Sequence, residues 1–155
     1  MISFRNRKYC SFILDQKNHD ILIEWKKASR HVTKPLPGDI FLRLETVVAE
    51  YFCGFDILTV PAPSFHTYEN YPIWNIALII GPLAGVEVAI LFPNKSGKLK
   101  MSTFGSCLKT VQDIECPSEK FILILDDIYT TGHTMRVSCE AIAKKGSFPV
   151  GLALG

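Results

Sequence analysis

The chain has no C-x-x-C pair, no internal repeat, no low-complexity tract and no apolar run of membrane-spanning length. Each absence closes a class. The five cysteines (Cys10, Cys53, Cys107, Cys116 and Cys139) are odd in number and scattered, which fits neither a zinc ribbon nor a disulfide framework. Reduced thiols in a cytoplasmic protein are the expectation. The most apolar stretch, Ile76 to Phe92, contains Glu87 and is broken by Gly81, Pro82 and Gly85. A bilayer span needs ~20 continuous apolar residues, so no membrane association is expected. Met1 to Lys8 is basic but lacks the apolar core and cleavage site of a signal peptide. An excess of one charge is missing too. A net charge of +2 is too small for bulk nucleic-acid binding, so any anion site must be local.

What is present describes one soluble domain. The 155 residues are 48% hydrophobic and 21% charged, and a chain of this length buries roughly two-thirds of the surface it exposes when unfolded. Tyr9–Leu14 and Asp20–Trp25 read as two short strands around a polar turn, a β-hairpin, with His19 only a turn residue. After Pro35 and Pro37, Gly38-Asp39 opens a helical pattern through Ile40, Leu42, Leu44, Val47, Val48 and Phe52, ended by Gly54. Elements then alternate: strand Asp56–Val60, helix Pro72–Leu83 ending near Gly85, strand Val86–Phe92, and a polar loop from Asn94 to Thr103. Strand Phe121–Leu125, helix Thr134–Lys145 capped by Gly146, and strand Pro149–Leu154 complete the chain. The alternation predicts an α/β fold with a parallel sheet and helices on both faces. Residues 1–37 are expected to form a hairpin or hood segment of the single domain, and 38–155 its α/β core. Ligands of such sheets bind beyond the carboxyl ends of the strands, which points to Pro61–Glu69, Pro93–Thr103, Asp126–His133 and whatever follows Gly155.

One stretch concentrates the chemistry: Phe121-Ile-Leu-Ile-Leu-Asp-Asp-Ile-Tyr-Thr-Thr-Gly-His-Thr134. Five apolar residues run into two adjacent carboxylates, then into a threonine- and glycine-containing loop that opens a helix. Amide groups at a helix N-terminus lie at the positive end of its dipole and suit an anion. Thr130, Thr131 and Thr134 add hydroxyl donors, and Gly132 lets the backbone wrap closely. Asp126 and Asp127, just upstream, can accept hydrogen bonds from vicinal hydroxyls. Phosphate at one end and a diol at the other describe a ribose 5-phosphate. A single Thr or Asp here reads as a helix cap, but a cap needs one such residue rather than six.

This string resembles the phosphoribosyl pyrophosphate (PRPP) signature of type I phosphoribosyltransferases. The order of elements upstream, with a D-x-(apolar)-P-x-P strand end at Asp56–Pro63, resembles the competence-associated, ComF-like branch. The motif-level likeness spans Phe121 to Gly155, that over Asp56 to Thr110 is architectural, and the first 50 residues show none. The resemblance implies a Rossmann-like type I fold with an N-terminal hood, and transfer of a phosphoribosyl group to a nitrogenous base with release of pyrophosphate. It implies that Asp126 and Asp127 contact the ribose hydroxyls, and also steady Mg²⁺ indirectly through Mg-PRPP. Thr130, Thr131, Gly132, His133 and Thr134 would hold the 5-phosphate. Ala62, Pro63 and Ser64 fall where the family places its pyrophosphate loop, which here offers Ser64 and His66 but no Arg or Lys. Lys95, Lys98 and Lys100 lie on a stretch resembling the loop that closes over PRPP, with Lys98 and Lys100 as catalytic candidates.

The expected partners are PRPP or a nucleoside monophosphate, with the acceptor base open. Arg30, His31 and Lys34 either choose that base or only cover the sheet edge. Trp25, Trp74 and Tyr129 either stack on it or belong to the core. His133 either adds a donor to the phosphate or points away. The generic enzyme of this type is longer, so the base site is expected to be reduced or to be completed by a homodimer or partner protein. Two other readings stand beside catalysis: a nucleotide- or PRPP-sensing module, and a nucleotide N-glycosidic hydrolase using water.

Overall fold

The computed structural model describes residues 1–6, 8–64, 67–93 and 114–155. The strands are β1 (Ile2–Asn6), β2 (Tyr9–Ile13), β3 (Ile57–Thr59), β4 (Glu87–Val88), β5 (Phe121–Asp126) and β6 (Phe148–Ala153). The helices are α1 (His19–Ala28), α2 (Ile40–Tyr51), α3 (Pro72–Ala84) and α4 (His133–Lys144). The six strands form one sheet in the order β1-β2-β6-β5-β3-β4, with only the β1–β2 pair antiparallel. This is an α/β architecture with a mostly parallel sheet.

Period-two alternation in β5 divides the core into two layers. Leu123 and Leu125 join Leu58, Leu152 and residues of α1, α2 and α3 on one face. Ile122 and Ile124 join Ile57 and the α4 residues Met135, Cys139 and Ile142 on the other. A strand covered on both faces must be apolar throughout, which is why the sequence runs Phe-Ile-Leu-Ile-Leu before its first acid. In α2 the buried residues Ile40, Leu44 and Val48 recur every fourth position and give one apolar stripe, while Leu42 faces outward. Close packing between α4 and β6 depends on Gly151. A Cβ there would lie 2.5 Å from Met135 Sδ and 2.7 Å from Ser11 Oγ.

The N-terminal hairpin lies one step earlier than the sequence suggests. It is β1–β2, with Ile2 opposite Ile13 and Asn6 opposite Tyr9, and Asp20–Trp25 is helical. The reason is packing: Leu22 and Trp25, three residues apart, are both buried, while Ile21 between strand-like neighbours stays exposed. Asp15 starts this segment by accepting hydrogen bonds from the Asn18 backbone (3.2 Å) and side chain (2.7 Å). Burial acts to raise the Asp15 pKa, but Asn18 and the Arg43 guanidinium paired with it hold it below the ordinary value. His19 accordingly begins α1 rather than sitting in a turn. The strand expected over Val86–Phe92 is also shorter, since only Glu87 and Val88 pair with β3. Leu91 and Phe92 instead turn into the α4-side core.

Two crossovers decide where a ligand can sit. β3–α3–β4 steps one way across the sheet with its helix on the first face, and β5–α4–β6 steps the other way with its helix on the second. β3 and β5 are neighbours, paired from Ile57–Ile122 to Thr59–Ile124. The strand order therefore reverses between them, and a crevice opens beyond their carboxyl ends.

Candidate functional site

At that crevice lies a cleft of about 400 Å³. Ala62 and Ser64 reach it from the segment after β3, Tyr71 and Pro72 from the start of α3, and Ile23 and Lys26 from α1. Asp126, Asp127, Ile128, Thr130 and Thr134 reach it from the end of β5 and the start of α4. Beside it, a small open hollow of about 30 Å³ is lined by Asp126 and residues 128–135. The topology thus brings the expected diol acceptors, the threonine loop and the expected pyrophosphate segment to one place. Pro63, between Ala62 and Ser64 in sequence, is buried and is not among the residues lining the cleft. His66, Lys95, Lys98 and Lys100 lie outside the described residues.

The two carboxylates are held by backbone. Asp126 is the last residue of β5, and its carbonyl and that of Asp127 accept hydrogen bonds from Leu154 N–H at 3.0 and 3.1 Å. Gly155 N–H adds a second bond to the Asp127 carbonyl at 3.1 Å, and Tyr129 N–H donates to the Gly155 carbonyl at 2.6 Å. Asp126 Oδ1 accepts from Asp127 N–H at 2.9 Å, and Asp127 Oδ1 from Ile128 N–H at 2.6 Å. Both acids are buried. Desolvation first, and then the neighbouring Asp127 charge, push the Asp126 carboxyl up to about 7. Tyr71, on the same cleft, is raised well above the ordinary phenol range by burial and by both carboxylates, so it remains a neutral phenol beside them.

Lys26 is the residue the sequence reading passed over. Its ammonium lies 3.1 Å from Asp127 Oδ1 and 3.0 Å from Oδ2, with half of the lysine side chain exposed and the aspartate buried. A strand over Asp20–Trp25 would not have aimed it here. The i, i+3 spacing of Leu22 and Trp25, with Ile23 and Lys26 one position on, was the available signal. Tyr71 carried none, since it is marked only as the residue before Pro72.

The threonine loop turns through Gly132, whose φ of 76° lies in the left-handed region that favours glycine. Thr131 Oγ1 accepts from His133 N–H at 3.3 Å, and α4 starts at His133. His133 Nδ1 is 3.1 Å from Arg136 Nη2, and because arginine can only donate, that ring nitrogen is the acceptor. Arg136 in turn lies 3.6 Å from Glu140. Trp25 and Trp74 are core residues, not stacking platforms. The Trp25 indole N–H donates to the Lys34 carbonyl at 2.8 Å, and Trp74 packs edge-on against Tyr68 at 5.4 Å. Tyr129 is half-buried on the rim of the small hollow.

Among the described residues no group of three or more His, Cys, Asp or Glu gathers as a metal cage. Two adjacent carboxylates suit instead a hard cation that brings most of its oxygen ligands on a substrate. Cys10, Cys53, Cys116 and Cys139 are free thiols. No described helix is long and apolar enough to cross a membrane. In comparisons with known proteins, no family model, no curated protein and no solved structure matches the chain.

The raised Asp126 pKa has a stability consequence. The folded state keeps a proton that the unfolded chain releases near 3.8, so stability falls as pH rises from about 4 to about 7 and stays low above. Asp126→Asn removes that penalty. At pH 8 the variant is expected to be more stable than the parent by roughly 1–3 kcal/mol, with the difference vanishing near pH 4, in urea titrations across that range. Equal stability loss at both pH values would show that the carboxylate is not strained by burial.

Proposed function

We propose that this chain is a type I phosphoribosyltransferase-type protein that binds PRPP and transfers its phosphoribosyl group to a nitrogenous base. The observation that carries the reading is the cleft at the strand-order reversal, where Asp126, Asp127, Thr130 and Thr134 meet Ala62 and Ser64. In this reading Asp126 and Asp127 accept hydrogen bonds from the 2- and 3-hydroxyls and fix the ribose ring. The hydroxyls of Thr130, Thr131 and Thr134, with the backbone around Gly132 and His133, hold the 5-phosphate at the positive end of α4. Ala62 and Ser64 lie along the leaving pyrophosphate, on the segment that the buried Pro63 anchors.

The lone pair of the acceptor nitrogen forms a bond to C1 as the bond from C1 to the pyrophosphate oxygen breaks, and that oxygen keeps the electron pair. Positive charge on the ribose in the transition state is stabilised by the adjacent carboxylates, whose own burial strengthens the attraction. Asp126 and Asp127 would steady Mg²⁺ indirectly, through Mg-PRPP, and the ion would supply positive charge for the pyrophosphate oxygens. Lys26, paired with Asp127 on the same cleft, adds a cation that the sequence motif does not supply. Lys98 and Lys100 are assigned to the closing loop on the resemblance alone.

A second reading is a nucleotide- or PRPP-sensing module without turnover. It is favoured by the segment Pro61–Ser64, which carries no Arg or Lys to meet a leaving pyrophosphate. Incubation with Mg-PRPP and a panel of nitrogen heterocycles separates the two. Pyrophosphate release with one acceptor, cut at least ~10-fold by Lys98→Ala/Lys100→Ala, is the expected result for the enzyme. Tight PRPP binding with no release for any acceptor supports the sensor.

A further inference from the structure

We infer that the basic hollow beside the diol cleft is a second ligand compartment, for a small planar nitrogen heterocycle carrying a carboxylate. As the identity of the acceptor, this rests on the phosphoribosyl-transfer reading; as an anion site, it stands on its own residues. The hollow measures about 770 Å³, within the range of small-molecule sites. It is lined by Lys26, Lys27, Arg30 and His31 from α1 and the segment after it, and by Thr67 and Asn70. Ile23 and Lys26 belong to this hollow and to the diol cleft alike, so a ligand here lies next to the sugar.

The charge has one sign. Three of the lining residues carry permanent cations, and none of those described is acidic. Lys27 is 3.2 Å from Glu24 and Lys26 is engaged by Asp127, whereas the Arg30 guanidinium makes no ion pair among the described residues. The rim bearing Arg30 and His31 is fixed before any ligand arrives. Trp25 Nε1 donates to the Lys34 carbonyl (2.8 Å), Lys34 N–H to Ser29 Oγ (3.1 Å), and Asn75 Nδ2 to Thr33 Oγ1 (2.7 Å). These bonds fix the backbone that carries Arg30, whose exposed side chain then reaches over the hollow from a set origin.

The form of the anion follows from what the hollow lacks. It sits at the C-terminal end of α1, where the helix dipole disfavours an anion and a dianion most, and none of its described lining residues is a glycine. A singly charged carboxylate matches the arginine fork. Asn70 and Thr67 supply donors and acceptors for ring heteroatoms.

Pyridine-3-carboxylate and pyridine-3-carboxamide have the same shape and differ in charge. In titrations of the full chain, the carboxylate should bind roughly 10-fold more tightly than the amide at low salt, with the preference shrinking as salt is added. Arg30→Gln should remove most of that preference while leaving ribose 5-phosphate affinity within about twofold. Lys27→Gln should have a smaller effect in the same direction. Equal binding of the two pyridines, or a carboxylate preference that survives Arg30→Gln, overturns the proposal. Ribose 5-phosphate binding without carboxylate preference sinks this inference and leaves the transfer reading intact. Carboxylate preference without ribose 5-phosphate binding keeps the anion site, but overturns its assignment as the acceptor compartment.

Discussion

Asp126→Ala/Asp127→Ala is expected to weaken PRPP binding at least ~100-fold while the protein stays folded. Each hydrogen bond from a hydroxyl to an ionised carboxylate contributes about 1.5–3 kcal/mol, and two such losses amount to a factor of about 100 or more. The effect on the fold is far smaller because two changes oppose each other. Loss of Asp127 removes its bonds to Lys26 and to the Ile128 N–H, at 3.0–3.1 and 2.6 Å. Loss of Asp126 relieves the burial that pushes its carboxyl up to about 7. The thermal midpoint should therefore move by only a few degrees, which circular dichroism checks beside the calorimetry. A functional pair that strains the fold it occupies is the expected signature of a binding site. Undiminished PRPP affinity in the double variant would place the ligand elsewhere.

The largest stability effect is expected at the centre of the sheet. Leu123 is fully buried, lies on β5 between β3 and β6, and is the register partner of Leu58 and Val150. Leu123→Ala leaves a cavity that paired strands on both sides cannot close, costing about 3–4 kcal/mol. For a chain of this size that lowers the midpoint by roughly 10 °C in a thermal melt. A loss under about 1 kcal/mol would mean that β5 is not the packed centre described here. Its location three residues before Asp126 couples stability to the site, since β5 is what aims Asp126 and Asp127 into the crevice.

How far the sequence announced this arrangement differs by element. β5 was legible because a strand buried on both faces and ending in two acids leaves few other readings. α2 was legible from the spacing of Ile40, Leu44, Val48 and Phe52, and α3 and α4 from the glycines that close them. The segment after β2 was not. Asp20-Ile-Leu-Ile-Glu-Trp has strand composition, and only tertiary burial of Leu22 and Trp25 makes it a helix. That one difference hid Lys26, and with it the basic hollow. Composition alone also could not reveal that Leu154 and Gly155 pin the Asp126–Asp127 backbone, because those contacts join elements 28 residues apart across the sheet.

The motif's residue types were readable, and the parallel alternation already pointed Pro61–Glu69 and Asp126–His133 to the carboxyl ends of the strands; which strands are neighbours there was not. Ala62 and Ser64 face Asp126 and Thr134 only because the strand order reverses between β3 and β5, a property of topology rather than of any local pattern.

Calorimetric titration of the protein with PRPP, with and without Mg²⁺, tests the central claim most directly. Saturable binding at one site per chain, strengthened by magnesium and lost in Asp126→Ala/Asp127→Ala, is the predicted result. No binding of PRPP under either condition would contradict the account and leave the Asp-Asp and threonine loop as elements of the fold alone.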